Sequence, residues 1–200
     1  MELFKDCSFG TVVPELERYG FATVPNLLAP RAIDRLLRES AGLGWHRAEP
    51  TFGTRRVVQD YFFVKKFPAS SLYPAVGREL EDLLNDAFFK ITPHPIAEPL
   101  HFNEFRLQRY PPGSKGIEPH RDGPQTRYLV ALIVLRHGGQ LCFCEDGSRS
   151  GSISVESEPG DLILMRGVGF LGSGFQPWHY VNSSKKVERL TLGMRQVVWN

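Results

Sequence analysis

In the stretch EPHRDGPQT, residues 118 to 126, a histidine and an aspartate stand two positions apart, His120 and Asp122. On a strand, positions i and i+2 point to the same face, so the pair would present an imidazole and a carboxylate side by side. Two ligands do not make a metal site for oxidative work; two histidines and one carboxylate do, leaving three coordination positions open for substrate and oxygen. A second histidine is therefore needed, and the chain has six histidines. Four read as ordinary: His46 follows Trp45 in a polar loop, His94 sits between prolines, His101 opens a strand and His137 lies in a turn. His179 differs, because it follows the strand GDLILMRG and a glycine-rich loop and stands ten positions before Arg189.

That arginine begins RLTLGMR, in which alternation places Arg189, Thr191, Gly193 and Arg195 on one face and Leu190, Leu192 and Met194 on the other. The apolar face packs. The opposite face offers two guanidiniums whose burial is costly unless an anion pairs with them. A small dicarboxylate would supply that anion, since the planar fork of arginine matches a carboxylate in a bidentate way.

The elements that must hold these groups divide near residue 100. Before it, APRAIDRLLRESAG predicts a helix with Pro30 at its first position and Gly42 at its stop, and helical spacing of Val76, Leu80, Leu83, Leu84 and Phe88 predicts another over about Pro74 to Phe89. TRRVVQDYFFVKKF between them reads as strand, a hairpin arm or an extended loop over the core. After it, HFNEFRLQRY, RYLVALIVL, QLCFCED, GSISVES, GDLILMRG and RLTLGMRQVVW are short strands separated by turn clusters such as PPGS, HGG and EPG. Many short strands at this spacing predict a sandwich or barrel. The expectation is one domain over residues 1–200: an amino-terminal helical layer with flanking strands to about residue 100, packed on a double-sheet core over about 101–200. The glycines of RGVGFLGSGFQP, beside His179, suit a lid over the site.

Composition excludes several classes. Two hundred residues with 42% hydrophobic content suffice for a core around a site. Three cysteines give no zinc pattern and no disulfide framework. The amino terminus lacks a basic region followed by an apolar run, and no stretch is long enough to span a membrane. A soluble, cytoplasmic protein without a membrane partner is expected. A net charge of +2 does not by itself indicate a nucleic acid.

His120-x-Asp122, His179 and Arg189 together resemble the ferrous iron and 2-oxoglutarate-dependent dioxygenase superfamily. QRYPPGSKGIEPHRD is similar to the approach to the His-x-Asp pair in its AlkB-like and prolyl hydroxylase-like members, and RLTLGMR resembles the closing signature of the AlkB-like branch in spacing. The resemblance covers about residues 103 to 197. It implies a mainly β fold with helices, a double-stranded β-helix (jelly-roll, cupin-like) core. It also implies that His120, Asp122 and His179 hold ferrous iron, that Arg189 pairs with the far carboxylate of 2-oxoglutarate and that Tyr110 donates a hydrogen bond to it. Arg195 would approach the carboxylate nearer the metal. Gln108 and Thr191 occupy positions where the AlkB-like branch carries asparagines, and count with the co-substrate set. Those departures bear on a base-repair substrate rather than on iron.

With O2, such an enzyme hydroxylates its substrate and forms succinate and carbon dioxide; Asp122, where halogenating relatives have a small residue, favours hydroxylation or the demethylation it drives. A small molecule or protein side chain is the expected substrate. Demethylation of nucleic acid is the alternative, for which residues 31 to 66 carry eight basic residues (31, 35, 38, 47, 55, 56, 65, 66) against four acidic ones. A non-catalytic cupin-type binding barrel is a third reading, and Arg189 with Tyr110 speaks against it.

Overall fold

The computed structural model describes residues 2–54 and 56–199. In chain order its elements are α1 (Val12–Tyr19), β1 (Phe21–Val24), α2 (Pro30–Ser40), β2 (His46–Arg47), β3 (Thr51–Phe52), β4 (Val57–Asp60), β5 (Phe62–Val64) and α3 (Leu72–Phe89). There follow β6 (Glu104–Tyr110), β7 (Gly116–His120), β8 (Thr126–Arg136), β9 (Gly139–Cys144), β10 (Ile153–Val155), β11 (Leu162–Arg166), β12 (Trp178–Ser183) and β13 (Arg189–Val197). The strands form two antiparallel sheets, ordered β1-β11-β8-β13-β6-β5-β2 and β10-β9-β12-β7-β4-β3.

Alternation along the central strands sorts two cores. Leu129, Ala131, Ile133 and Leu135 of β8, with Leu190, Leu192 and Met194 of β13, pack against the helices through residues such as Leu36, Leu80 and Leu84. Val130, Leu132 and Val134 point the other way and meet Leu141, Phe143 and Val181 of the second sheet. Leu129 to Leu135 of β8 are apolar without interruption because both faces of the strand are covered there. The alternation read in RLTLGMR holds: its apolar face joins the helical layer, and Arg189, Thr191 and Arg195 face the space between the sheets.

Both expected helices are present. Pro30 opens α2, where its missing N–H is no loss, and Ser71 caps α3 by accepting from the Tyr73 N–H at 3.3 Å. α1 was not foreseen; Val12, Val13 and Leu16 bury one face of it and Gly20 closes it in a left-handed turn. The expected single strand over 54–67 is two, because the chain passes from one sheet to the other at Tyr61. The buried Tyr61 ring fills that corner and packs on Tyr110, with ring centroids 5.1 Å apart.

The glycine-rich loop is held at its middle. Phe170 is fully buried against Phe88, and the Leu171 N–H donates to the Pro95 carbonyl at 2.7 Å, so the loop is anchored to the helical layer. Gly116, at the start of β7, has a φ of +73°, and a Cβ there would lie 1.9 Å from the Val181 carbonyl oxygen of β12. Gly116→Ala should therefore destabilise the protein by on the order of 3 kcal/mol, combining a left-handed backbone with a backbone clash. A urea unfolding midpoint unchanged from the parent would contradict this packing.

Candidate metal and anion site

Between the sheets lies a cleft of about 330 Å³, lined at one end by His120, Asp122 and His179 and along one wall by Tyr110, Gln108, Thr191, Arg189 and Arg195. All eight residues singled out in the sequence line this one space. His120 and His179 meet because β7 and β12 pair in a register that sets them directly opposite one another, with ring centroids 4.3 Å apart. Asp122 arrives differently from expectation. β7 ends at His120, so Asp122 lies in the turn beyond the strand, not at its i+2 position. The turn brings it back, with Oδ2 3.8 Å from His179 Nε2.

Each imidazole is oriented by its own backbone. His120 Nδ1 lies 2.8 Å from the Glu118 carbonyl oxygen and His179 Nδ1 3.2 Å from that of Pro177. A carbonyl only accepts, so each Nδ1 donates to it and the Nε2 edge of each ring is directed away from the backbone, the orientation that a metal requires of its histidines. Burial, and then the nearby His179, push the His120 pKa down to about 3, so its ring is neutral near pH 7. Burial works to raise Asp122, but Arg195 first, then the two histidines, outweigh it and hold the carboxyl below its ordinary value.

Among the described residues no three His, Cys, Asp or Glu side chains stand closed in coordinating geometry. The reason is visible at Asp122, whose Oδ1 accepts from Arg195 Nη1 at 2.9 Å. That bond leaves Oδ2 on the histidine side. Two imidazoles, that of His120 held neutral, and a carboxylate held ionised, gathered in a buried pocket with both Nε2 atoms free of backbone partners, fit a divalent metal. Arg195 thus acts on the candidate carboxylate ligand. Arg195→Gln should raise the Asp122 pKa, and the loss of divalent metal binding on acidification should move to higher pH, because a protonated carboxyl does not ligate. Metal titrations between about pH 4.5 and 7 should separate the two curves; superimposable curves would contradict the role.

At the far end of the same wall, Arg189 is only 1% exposed. Its Nη1 donates to the Gly139 carbonyl at 3.3 Å, and among the described residues it has no carboxylate within ion-pair distance. It sits opposite Tyr110 in the β13–β6 register. Burial pushes the Tyr110 phenol far up, so it remains a donor, and Gln108 Nε2 donates to its oxygen at 3.3 Å. Thr191, buried, follows Arg189 on the same face. A buried guanidinium beside a phenol with no counter-ion fits a carboxylate of a bound molecule.

Sequence reading missed Tyr61, Lys65, Glu104 and Arg106, which also line the cleft. Arg106 and Glu104 were within reach: they continue at spacing two the face that carries Gln108 and Tyr110 in EFRLQRY. The basic segment divides. Arg31, Arg35 and Arg38 stand on α2 in the helical layer and Lys65 at the cleft, while Arg47 pairs with Asp60 at 3.2 Å. Arg55 lies outside the described residues. No helix among the described residues is long and apolar enough to cross a membrane.

Neither a protein-family profile nor a curated protein matches the sequence. Solved structures do match. A prolyl-4-hydroxylase from Pseudomonas putida superposes with a TM-score of 0.67 at 21% identity, covering 95% of this chain and 99% of that one. An oxidoreductase of the 2OG-Fe(II) oxygenase family from Burkholderia pseudomallei gives 0.67 at 16% identity, covering 98% and 95%. This chain has their fold. A prolyl hydroxylase from Trichoplax adhaerens, in complex with a peptide fragment of the hypoxia inducible factor oxygen degradation domain, gives 0.63 at 15% identity over 93% and 88%.

Proposed function

We propose that the protein is a ferrous iron- and 2-oxoglutarate-dependent dioxygenase built on a double-stranded β-helix, a single domain in which His120, Asp122 and His179 hold the metal. The observation that carries this reading is the buried Arg189 guanidinium, which has no carboxylate partner among the described residues and shares a cleft with a two-histidine, one-carboxylate cluster. A barrel without co-substrate has no use for such a charge. The shared fold with 2-oxoglutarate oxygenases supports it.

Bound there, iron and 2-oxoglutarate would use O2 to hydroxylate a substrate C–H bond, yielding succinate and carbon dioxide. The chain's own residues bind, orient and shield. Arg189 takes the far carboxylate of the co-substrate, and Tyr110, its oxygen engaged by Gln108, directs its O–H to the same group. Thr191 lines the path between that anchor and the metal end. Leu132, Leu141, Met165 and Val181 give the cleft its apolar lining. Backbone carbonyls engage Nδ1 of both His120 and His179, which leaves the Nε2 edges for the metal.

A small molecule or a protein side chain is the substrate this reading favours, consistent with the peptide complex of the Trichoplax adhaerens enzyme. The test is succinate formation and oxygen uptake by the purified protein with iron and 2-oxoglutarate, with and without small-molecule and peptide pools. No turnover of 2-oxoglutarate under any of these conditions would sink the assignment.

A further inference from the structure

From the mouth of the same cleft we infer that the substrate carries an anionic group, a carboxylate or a phosphate, received by Arg106 with Lys65 beside it. The inference rests on the reading above that Arg189 serves the co-substrate. The inner faces of β13 and β6 form a ladder whose rungs are Arg189 and Tyr110, Thr191 and Gln108, Gly193 and Arg106, and Arg195 and Glu104. The first rung is the co-substrate anchor. On the third, a guanidinium stands opposite a glycine, so no side chain of β13 faces it.

Charge at this end does not balance. Glu104 Oε1 accepts from Arg106 Nη2 at 3.0 Å and also faces Lys65 Nζ at 3.9 Å, one carboxylate divided between two cations. Asp122 is taken by Arg195 and lies at the metal end. Arg106 Nη1 donates to the Tyr61 hydroxyl at 3.3 Å, but the Nε–H groups of both Arg106 and Arg195 are buried without a partner among the described residues. Buried donors left unpaired are uncommon and costly, and an unbalanced positive end adds to that cost. Burial, and then Arg106 and Arg195, depress the Lys65 pKa, as expected of an ammonium held among guanidiniums.

A carboxylate or phosphate entering this end would pair with the part-exposed Arg106 guanidinium, which lines the cleft, and neutralise Lys65. Phe52 and Trp199, both exposed and both lining the cleft, offer apolar contact to the rest of the molecule. The anionic group would then sit one rung from the Arg195–Asp122 pair, which places the carbon near it within reach of the metal end.

The test follows arginine Nε–H resonances in the protein loaded with zinc, a diamagnetic stand-in for iron, and 2-oxoglutarate. Three probes share one ring and differ in charge: benzoate, phenyl phosphate and benzamide. A saturable shift of the Arg106 resonance with benzoate or phenyl phosphate, at least about tenfold weaker with benzamide, is expected, and the tighter anion identifies carboxylate or phosphate. Arg106→Gln should remove that resonance and weaken the anion about tenfold, while the parent shift stands independently of that variant's folding. Equal response to benzamide, no response to either anion, or a shift with an oligonucleotide alone would overturn the inference. Addition of 2-oxoglutarate before any probe reads the underlying assignment separately: it should move Arg189. If it moves Arg106 instead, the mouth is the co-substrate's own site and the inference falls.

Discussion

Arg189→Met should weaken 2-oxoglutarate binding by a factor on the order of 10² to 10³ while leaving metal affinity nearly unchanged. Losing one partner of a buried charge pair costs about 2 to 5 kcal/mol, and each 1.4 kcal/mol is about tenfold. The same substitution should raise stability in the absence of co-substrate. The guanidinium is 1% exposed and lacks a carboxylate partner among the described residues, so an apolar side chain of similar length relieves an uncompensated charge. The two effects have opposite signs, which distinguishes them from general damage. Thermal unfolding with and without 2-oxoglutarate reads both: the parent should be stabilised by about 2.7 kcal/mol at a concentration one hundred times its Kd, the variant hardly at all. Equal stabilisation of the two proteins would remove the basis for the proposed function.

How much of this was legible in the sequence depended on the range of the interaction that decides each feature. Alternation in RLTLGMR and the uninterrupted apolar run of β8 are local patterns, and they assigned the correct faces to Arg189, Arg195 and Leu192. Pro30 and the Val76, Leu80, Leu84 spacing likewise located α2 and α3. The pairing of His120 with His179 was reached only as a chemical requirement, because register is set by partners sixty residues apart in the chain. The position of Asp122 was mistaken for the same reason. A His-x-Asp spacing implies a shared face only while the strand lasts, and β7 stops at His120, where its ladder with β12 ends. Glycine count in the 166–177 loop records backbone freedom but not anchoring, which depends on Phe170, a single buried ring. Arg106 was missed although its spacing was visible, since nothing in EFRLQRY marks which charged side chain turns into the cleft.

His179→Ala should abolish high-affinity divalent metal binding. Removing only an outer partner of a metal ligand costs about 10- to 100-fold, so removing a ligand should cost on the order of 100-fold or more. His179 is 6% exposed, and its Nε2 lies 3.8 Å from Asp122 Oδ2. Truncation leaves His120 and Asp122, two groups on one side of the pocket, unable to enclose a cation. His137→Ala is the matched control. That imidazole is exposed near the end of β8, 3.6 Å from Glu158, and its loss should leave metal affinity within about twofold. Calorimetric titration with manganese, a divalent ion that accepts the same ligands, measures both variants at one pH. Folding is checked in the same samples by co-substrate binding at Arg189, which lies at the opposite end of the β13 ladder and should survive in part without metal. Retained metal affinity in His179→Ala would break the cross-strand pair as a metal site. An equal loss in His137→Ala would mean that the metal is held elsewhere on the chain.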